Sequence, residues 1–184
     1  ELVCANCKAP NPSQFNLCGE CGYDLRKIEE PKPLDYDKPQ SYTPKHLADK
    51  ILTTRSSIEG ERKTVTVMFA DVTGFTPMSE KLDPEDIHQI MDGCFKILMD
   101  VIHRFEGTIN QFLGDGLMAL FGAPIAHEDH AQRACHAALA SQRSLASYGQ
   151  KVKQQHGVDF KIRIGLNSGV VIVGAIGDDL RMDY

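Results

Sequence analysis

Two sets of residues in this sequence have types and spacings that could do chemistry. The first is Cys4-x-x-Cys7 followed by Cys18-x-x-Cys21. Each pair is tight enough for both thiolates to reach one tetrahedral ion, and turn formers (Pro10, Asn11, Pro12, Ser13) fill the stretch between them. Disulfides or redox dithiols are the alternatives, but disulfides call for a secretory setting and no apolar leader opens the sequence. The spacing predicts a zinc ribbon in which Cys4, Cys7, Cys18 and Cys21 hold one structural Zn²⁺, the metal supplying most of the folding energy. The second set is Asp71 and Asp115. Thr66 to Ala70 are β-branched, apolar or aromatic, as in a buried strand, and Asp71 puts a carboxylate where that strand ends. Gly74 allows close backbone approach, and Phe75-Thr76 could open a helical turn. A carboxylate beside free amides suits a metal–phosphate group, the first holding the cation and the second the anion. Asp115 lies between Gly114 and Gly116, flanked by apolar runs within Gln111–Phe121, the pattern of a tight hairpin. Taken singly, each stretch reads equally as an ordinary turn with a capping aspartate.

Taken together they form a wider pattern. The segments FADVTGFT, FLGDGLMALFGAP, AHEDHAQRA and RIGLNSGVVIVG follow one another in an order and at a spacing that resemble the class III adenylate and guanylate cyclase catalytic domain, bacterial type, from about Glu61 to the last residue. The resemblance implies a ferredoxin-like α+β sandwich, a mainly antiparallel sheet with helices on one face. It implies cyclisation of ATP or GTP by two Mg²⁺ or Mn²⁺ ions held by Asp71, Asp115 and the Val72 carbonyl. The triphosphate falls to the amides of Val72, Thr73, Gly74 and Phe75 and to Thr76, and the purine to Gln111. Adenylate cyclases of the family usually carry lysine at the Gln111 position and guanylate cyclases glutamate. An amide can donate or accept, so base choice stays open, with a lean to ATP. Family active sites are composite: the metal carboxylates come from one protomer, and an Asn and an Arg from the other. These two would follow Tyr184, so the chain is expected to be the N-terminal part of a cyclase domain, inactive alone and completed in a homodimer or heterodimer. A non-catalytic, cyclase-like regulatory module is the alternative. Diguanylate cyclases share a related fold, but their signature loop is absent.

The surrounding elements must position these residues. The chain has 184 residues, 42% hydrophobic and 24% charged, enough for one full domain and a small appendage. A net charge of -5 gives no basic footprint for nucleic acid, and no apolar run approaches the ~20 residues of a membrane span, so a cytoplasmic protein is expected. The domains read as a ribbon over 1–26, a connecting segment over 27–60 and the cyclase part over 61–184. Ile28–Tyr42, with Pro31, Pro33 and Pro39 among charges, reads as extended linker. Thr43-Pro44 caps a short helix over Pro44–Thr53 with Leu47, Ile51 and Leu52 on one face. Arg62–Val72 is the first core strand. Asp83-Pro84 starts a helix of about six turns whose stripe runs from Ile87 to Phe105 and which stops at Gly107; Cys94 within it reads as an inert buried thiol. Thr108–Leu120 is the hairpin. His127-Glu128-Asp129-His130 could hold a metal but reads better as the acidic first turn of a helix reaching His156 and stopped by Gly157. Phe160–Leu166 is a half-buried strand, Asn167-Ser168-Gly169 a turn, Val170–Ala175 a further strand, and Gly177-Asp178-Asp179 another turn.

Overall fold

The computed structural model describes residues 2–4, 7, 9–12, 14–22, 24–25, 34–58 and 61–172, without the side chains of 2 and 54–58. The chain separates into two units, Glu1–Leu34 and Asp35–Tyr184.

In the first unit, β1 (Leu2–Val3) pairs antiparallel with β2 (Pro10–Asn11). The amide of Cys4 donates to the Ala9 carbonyl, and that of Gly22 to the Cys18 carbonyl, both at 2.9 Å. One such bond brackets each cysteine pair. Cys4 and Cys18 are buried, whereas Cys7 and Cys21 are exposed.

The second unit runs α1 (Pro39–Tyr42), α2 (Lys45–Ile58), β3 (Arg62–Val72), α3 (Phe75–Ser79), α4 (Pro84–Arg104), β4 (Thr108–Phe112), β5 (Gly116–Phe121), α5 (His130–His156) and β6 (Ile162–Ile172). Its four described strands lie in the order β4-β5-β3-β6, and every pairing among them is antiparallel. Strand alternation gives the sheet two faces. Thr66, Met68, Ala70 and Val72 of β3, with Leu117, Ala119 and Phe121 of β5, are buried on the face that α4 and α5 cover. Phe112 meets Phe95 of α4 there, and Thr66 bonds to His130 of α5. Near the β4–β5 turn the opposite face is open to solvent. This is the expected α+β cyclase sandwich.

The long helix follows its apolar stripe, with Ile90, Cys94, Leu98 and Ile102 nearly inaccessible. Asp83 and Pro84 stand at its start. Cys94 is inert as expected, burial pushing its thiol up to about 12. At its end the left-handed residue is Glu106, φ 57°, not Gly107. The Glu106 carboxylate accepts from Arg133 at 3.0 Å and Lys50 at 3.3 Å, which holds a conformation that non-glycine residues rarely adopt.

Four further expectations are corrected. Residues 162–172 form one strand, not two strands around a turn at Asn167-Ser168-Gly169. Every residue from Ile162 to Ile172 has a partner on β3, and the Ser168 and Thr66 hydroxyls are 2.7 Å apart, so the continuous ladder overrides turn-forming composition. The Val170–Ala175 strand beyond Ile172 and the Gly177-Asp178-Asp179 turn lie outside the described residues. The helix after Pro44 continues to Ile58, and Leu52 is 47% exposed while Leu47 and Ile51 pack with Ala48 and Ile125. Glu128 is not in a first helical turn, because α5 starts at His130 with Asp129 as its cap residue. Asp35–Tyr42 is not extended linker; it carries α1 and packs Tyr36 and Tyr42 edge-on against Phe112.

Candidate active site and metal centre

The two aspartates come together through strand register. Asp71, next to last in β3, lies directly opposite Gly116, the first residue of β5. The Val72 amide donates to the Asp115 carbonyl at 3.2 Å, so both carboxylates arise at one end of the sheet from adjacent strands. The turn between β4 and β5 is as tight as a hairpin allows, Leu113 N–H reaching the Gly116 carbonyl at 2.7 Å, with Gly114 at φ 68°. Gly116 is required for a different reason. A Cβ there would lie 2.5 Å from the Ala70 carbonyl oxygen and 3.3 Å from Asp71 Cα. Gly116→Ala should therefore destabilise the domain by about 1–3 kcal/mol, the usual cost of overpacking, and push the hairpin off Asp71. Urea unfolding together with a metal titration reads both effects. Unchanged stability and unchanged metal affinity would show that the close approach is not needed.

Arg163 is the neighbour of the candidate site that sequence reasoning did not single out. It stands opposite Asp71 on β6, and its Nε and Nη2 donate to Asp71 Oδ2 at 2.7 and 2.5 Å. The pair is open to water, with 76% of the arginine side chain and 30% of the aspartate exposed, so it is exchangeable and contributes little to stability. In the sequence Arg163 appears only as the polar member of an alternating strand; nothing but the β3–β6 register puts it on Asp71. Its guanidinium stands in for positive charge at this carboxylate. Two carboxylates, hard oxygen donors at one sheet end and one of them already holding a cationic group, fit divalent cations of the Mg²⁺ kind.

The other expected contacts divide. The amides of Val72 and Thr73 are engaged, donating to the Asp115 and Lys161 carbonyls at 3.2 and 2.9 Å. Gly74, at φ 71°, is the cap residue of α3, and Phe75 and Thr76 occupy its first turn, where amides have no intrahelical partner. Gln111 is exposed and lies opposite Met118 just past an irregularity in the β4 ladder. Met118 in turn lies opposite Phe69, which is 49% exposed. Gln111, Phe69, Asp71 and Arg163 therefore share the open face.

The four sulfurs of the first unit lie within 4.8 Å of one another; Cys4–Cys21 is 3.7 Å and Cys7–Cys18 is 3.6 Å. A disulfide would need ~2.05 Å. A tetrahedron of thiolates about 2.3 Å from one ion has edges of roughly 3.8 Å, close to both separations. The Cys18 thiol is held down to about 6, chiefly by hydrogen bonds from the backbone of Cys21 and then Glu20, helped by the Asn11 side chain. Buried Asn11 orients this ligand: Nδ2 donates to Cys18 Sγ at 3.5 Å and to the Ala9 carbonyl at 2.9 Å, while Oδ1 accepts from Gly19 N–H at 3.0 Å. The cluster fits a thiolate-bound metal. His127 and His130 join no such cluster among the described residues; His130 Nδ1 is instead 2.7 Å from the Thr66 hydroxyl.

Known proteins share this fold. Residues 59–184 match the profile of the adenylate and guanylate cyclase catalytic domain. "Adenylate cyclase 1" of Rhizobium meliloti (strain 1021) is 32% identical over 145 residues, which is 78% of this chain and 22% of that protein. Among solved structures, the guanylyl cyclase Cya2 superposes with a TM-score of 0.62 at 37% identity, over 68% of this chain and 64% of Cya2. The adenylyl cyclase CyaB from P. aeruginosa gives 0.61 at 32% identity, over 67% and 65%. The chain belongs to the adenylate and guanylate cyclase catalytic domain family. It spans about a fifth of the length of the Rhizobium relative.

Proposed function

We propose that residues 61–184 are the metal-bearing part of a nucleotidyl cyclase that converts ATP, or GTP, to its 3′,5′-cyclic monophosphate and pyrophosphate in intracellular signalling. A Cys4 zinc ribbon over 1–26 and a connecting segment over 27–60 precede this part. The observation that supports this best is that Asp71 and Asp115 arise at one end of the sheet from adjacent strands, Asp71 on the face that Gln111 shares. The reaction is an in-line attack of the ribose 3′-hydroxyl on the α-phosphorus, with pyrophosphate leaving. Two Mg²⁺ or Mn²⁺ ions bound here would lower the pKa of that hydroxyl and offset the triphosphate charge. Asp71, Asp115 and the Val72 carbonyl hold the cations. Gly74, Phe75 and Thr76 have backbone groups in position for phosphate oxygens, whereas Val72 and Thr73 take part through the loop they shape. Arg163, once released from Asp71, is a cation beside the same phosphates. Cys4, Cys7, Cys18 and Cys21 close a structural zinc site with no open position.

The composite site of the family makes a homodimer or heterodimer the working form, and the exposed Phe69 face is suited to it. With no basic footprint, nucleic acid is not a partner, and the cytoplasm is the expected compartment. No helix among the described residues is long and apolar enough to cross a membrane. The test mixes this chain with a cyclase domain whose own metal aspartates are replaced, so that each can supply what the other lacks. Cyclic nucleotide from the mixture that disappears with Asp71→Ala supports the enzyme. A mixture no more active than the partner alone leaves a regulatory module.

Base choice follows from Gln111. A lysine ammonium only donates, whereas a carboxamide donates or accepts by turning over. Gln111→Lys in the same mixture should raise the ATP-to-GTP activity ratio by about tenfold, the worth of one well-placed hydrogen bond. An unchanged ratio removes Gln111 from base recognition.

A further inference from the structure

The segment that precedes the cyclase core reaches the hairpin that carries Asp115. Tyr36 Oη donates to Asp92 Oδ1 of α4 at 2.5 Å, and Asp92 is also held by Lys96 at 2.6 Å. The Tyr36 ring sits edge-on to Phe95 of α4 and to Phe112 of β4, with centroids at 5.4 and 4.7 Å. Tyr42 approaches the same Phe112 at 5.2 Å. Phe112 points to the helix side, while its neighbour Gln111 points to the open face. Three residues later comes Asp115, across a turn too tight to flex by itself. Pressure on Phe112 from the helix side thus sets the height of the whole hairpin relative to β3. A cavity of about 400 Å³, bounded by Tyr36, Leu82, Ile87, Met91, Phe95 and Gly114, opens beside this contact. The hairpin is tied to β3 by the Val72–Asp115 bond, and Tyr36 and Phe95 back its β4 arm on the side where this space lies.

We propose that Tyr36 is a positioning residue of the cyclase site: anchored on Asp92, it holds Phe112 and through it the hairpin that presents Gln111 and Asp115. This rests on the assignment of Asp115 to the metals. Tyr36 touches no candidate ligand itself.

The test uses the full chain and two readouts. Titration with Mn²⁺ and a non-hydrolysable ATP analogue, followed by electron paramagnetic resonance, reports metal–nucleotide affinity. Hydrogen exchange at 113–116 reports the hairpin. Tyr36→Phe keeps the ring and loses the hydroxyl, and should weaken Mn²⁺–nucleotide binding about fivefold, the worth of one hydrogen bond. Asp92→Ala should weaken binding by a similar factor, since the Lys96 pair it also removes is a surface contact, and the double substitution should add little further. Tyr36→Ala should weaken binding by tenfold or more and speed exchange at 113–116, while the Val67–Leu120 part of the ladder keeps its protection. Equal affinity and equal hairpin exchange in a folded Tyr36→Ala protein would overturn the proposal. So would faster exchange spread evenly over the sheet, which marks general loosening. If the unsubstituted chain shows no Mn²⁺-dependent nucleotide binding, the cyclase reading fails; binding that Tyr36→Ala leaves intact defeats only the role of Tyr36.

Discussion

Stripping the metal from the first unit with a strong chelator should unfold that unit completely and leave the second unit folded. Among its described residues the first unit has a two-residue ladder, an isolated bridge between Leu17 and Asp24, and few apolar side chains to bury. Exposed Val3, Phe15 and Leu17 contribute no core among its described residues. Thiolate-bound zinc in such small domains supplies about 10–16 kcal/mol of apparent binding energy, far above what this ladder provides. Cys18→Ser should have nearly the same effect as chelation, since it removes the ligand that Asn11 and the 18–21 turn are built to hold. Asn11→Ala should be milder, with metal affinity falling about 10–100-fold as for other groups that orient a ligand. Metal content by mass spectrometry and circular dichroism on the full chain decide it. One zinc per chain, lost together with ordered structure at the N-terminus, is the expected result. Less than stoichiometric zinc, or a spectrum unchanged by chelation, would mean that the four cysteines do another job.

How far the sequence could be read depended on whether a feature was local. Asp83-Pro84, the apolar stripe after it and the paired glycines at 114 and 116 act within a few residues of themselves, and the helix and hairpin they specify are present. The cysteine spacing is local in the same sense. Errors came where a distant partner decides the outcome. Asn167-Ser168-Gly169 has turn composition, but β3 is long enough to pair with all of residues 162–172. Tyr36 and Tyr42 sit among prolines and charges, so their aromatic character was outweighed until Phe95 and Phe112, 59 to 76 residues away, supplied a surface. Within the candidate site, Asp71, Asp115 and Gln111 were legible because each lies in a distinctive short motif. Arg163 was not, because only cross-strand register makes it a partner of Asp71.

That partner gives a prediction in which two neighbouring substitutions move metal binding in different ways. Asp71→Ala should abolish Mn²⁺-dependent nucleotide binding. Groups that merely orient a metal ligand cost 10–100-fold, so loss of the ligand itself should exceed about a hundredfold. The fold should survive, because Asp71 is half-exposed at a strand end and its ion pair is open to water. Arg163→Gln should behave otherwise. With the guanidinium gone, a cation no longer competes for Asp71, so affinity for Mn²⁺ alone should stay level or rise by up to about fivefold, the limit for an exposed pair worth at most ~1 kcal/mol. Affinity for the triphosphate at saturating Mn²⁺ should fall by about tenfold or more, since a charge-assisted bond to phosphate is lost. Electron paramagnetic resonance of Mn²⁺ gives the first quantity and fluorescent-nucleotide titration the second. Both affinities falling together would make Arg163 a structural support for Asp71. Neither moving would leave the Arg163–Asp71 pair as a surface contact only. Divergence in the stated directions means that Arg163 guards the carboxylate until a cation replaces it, and then faces the substrate.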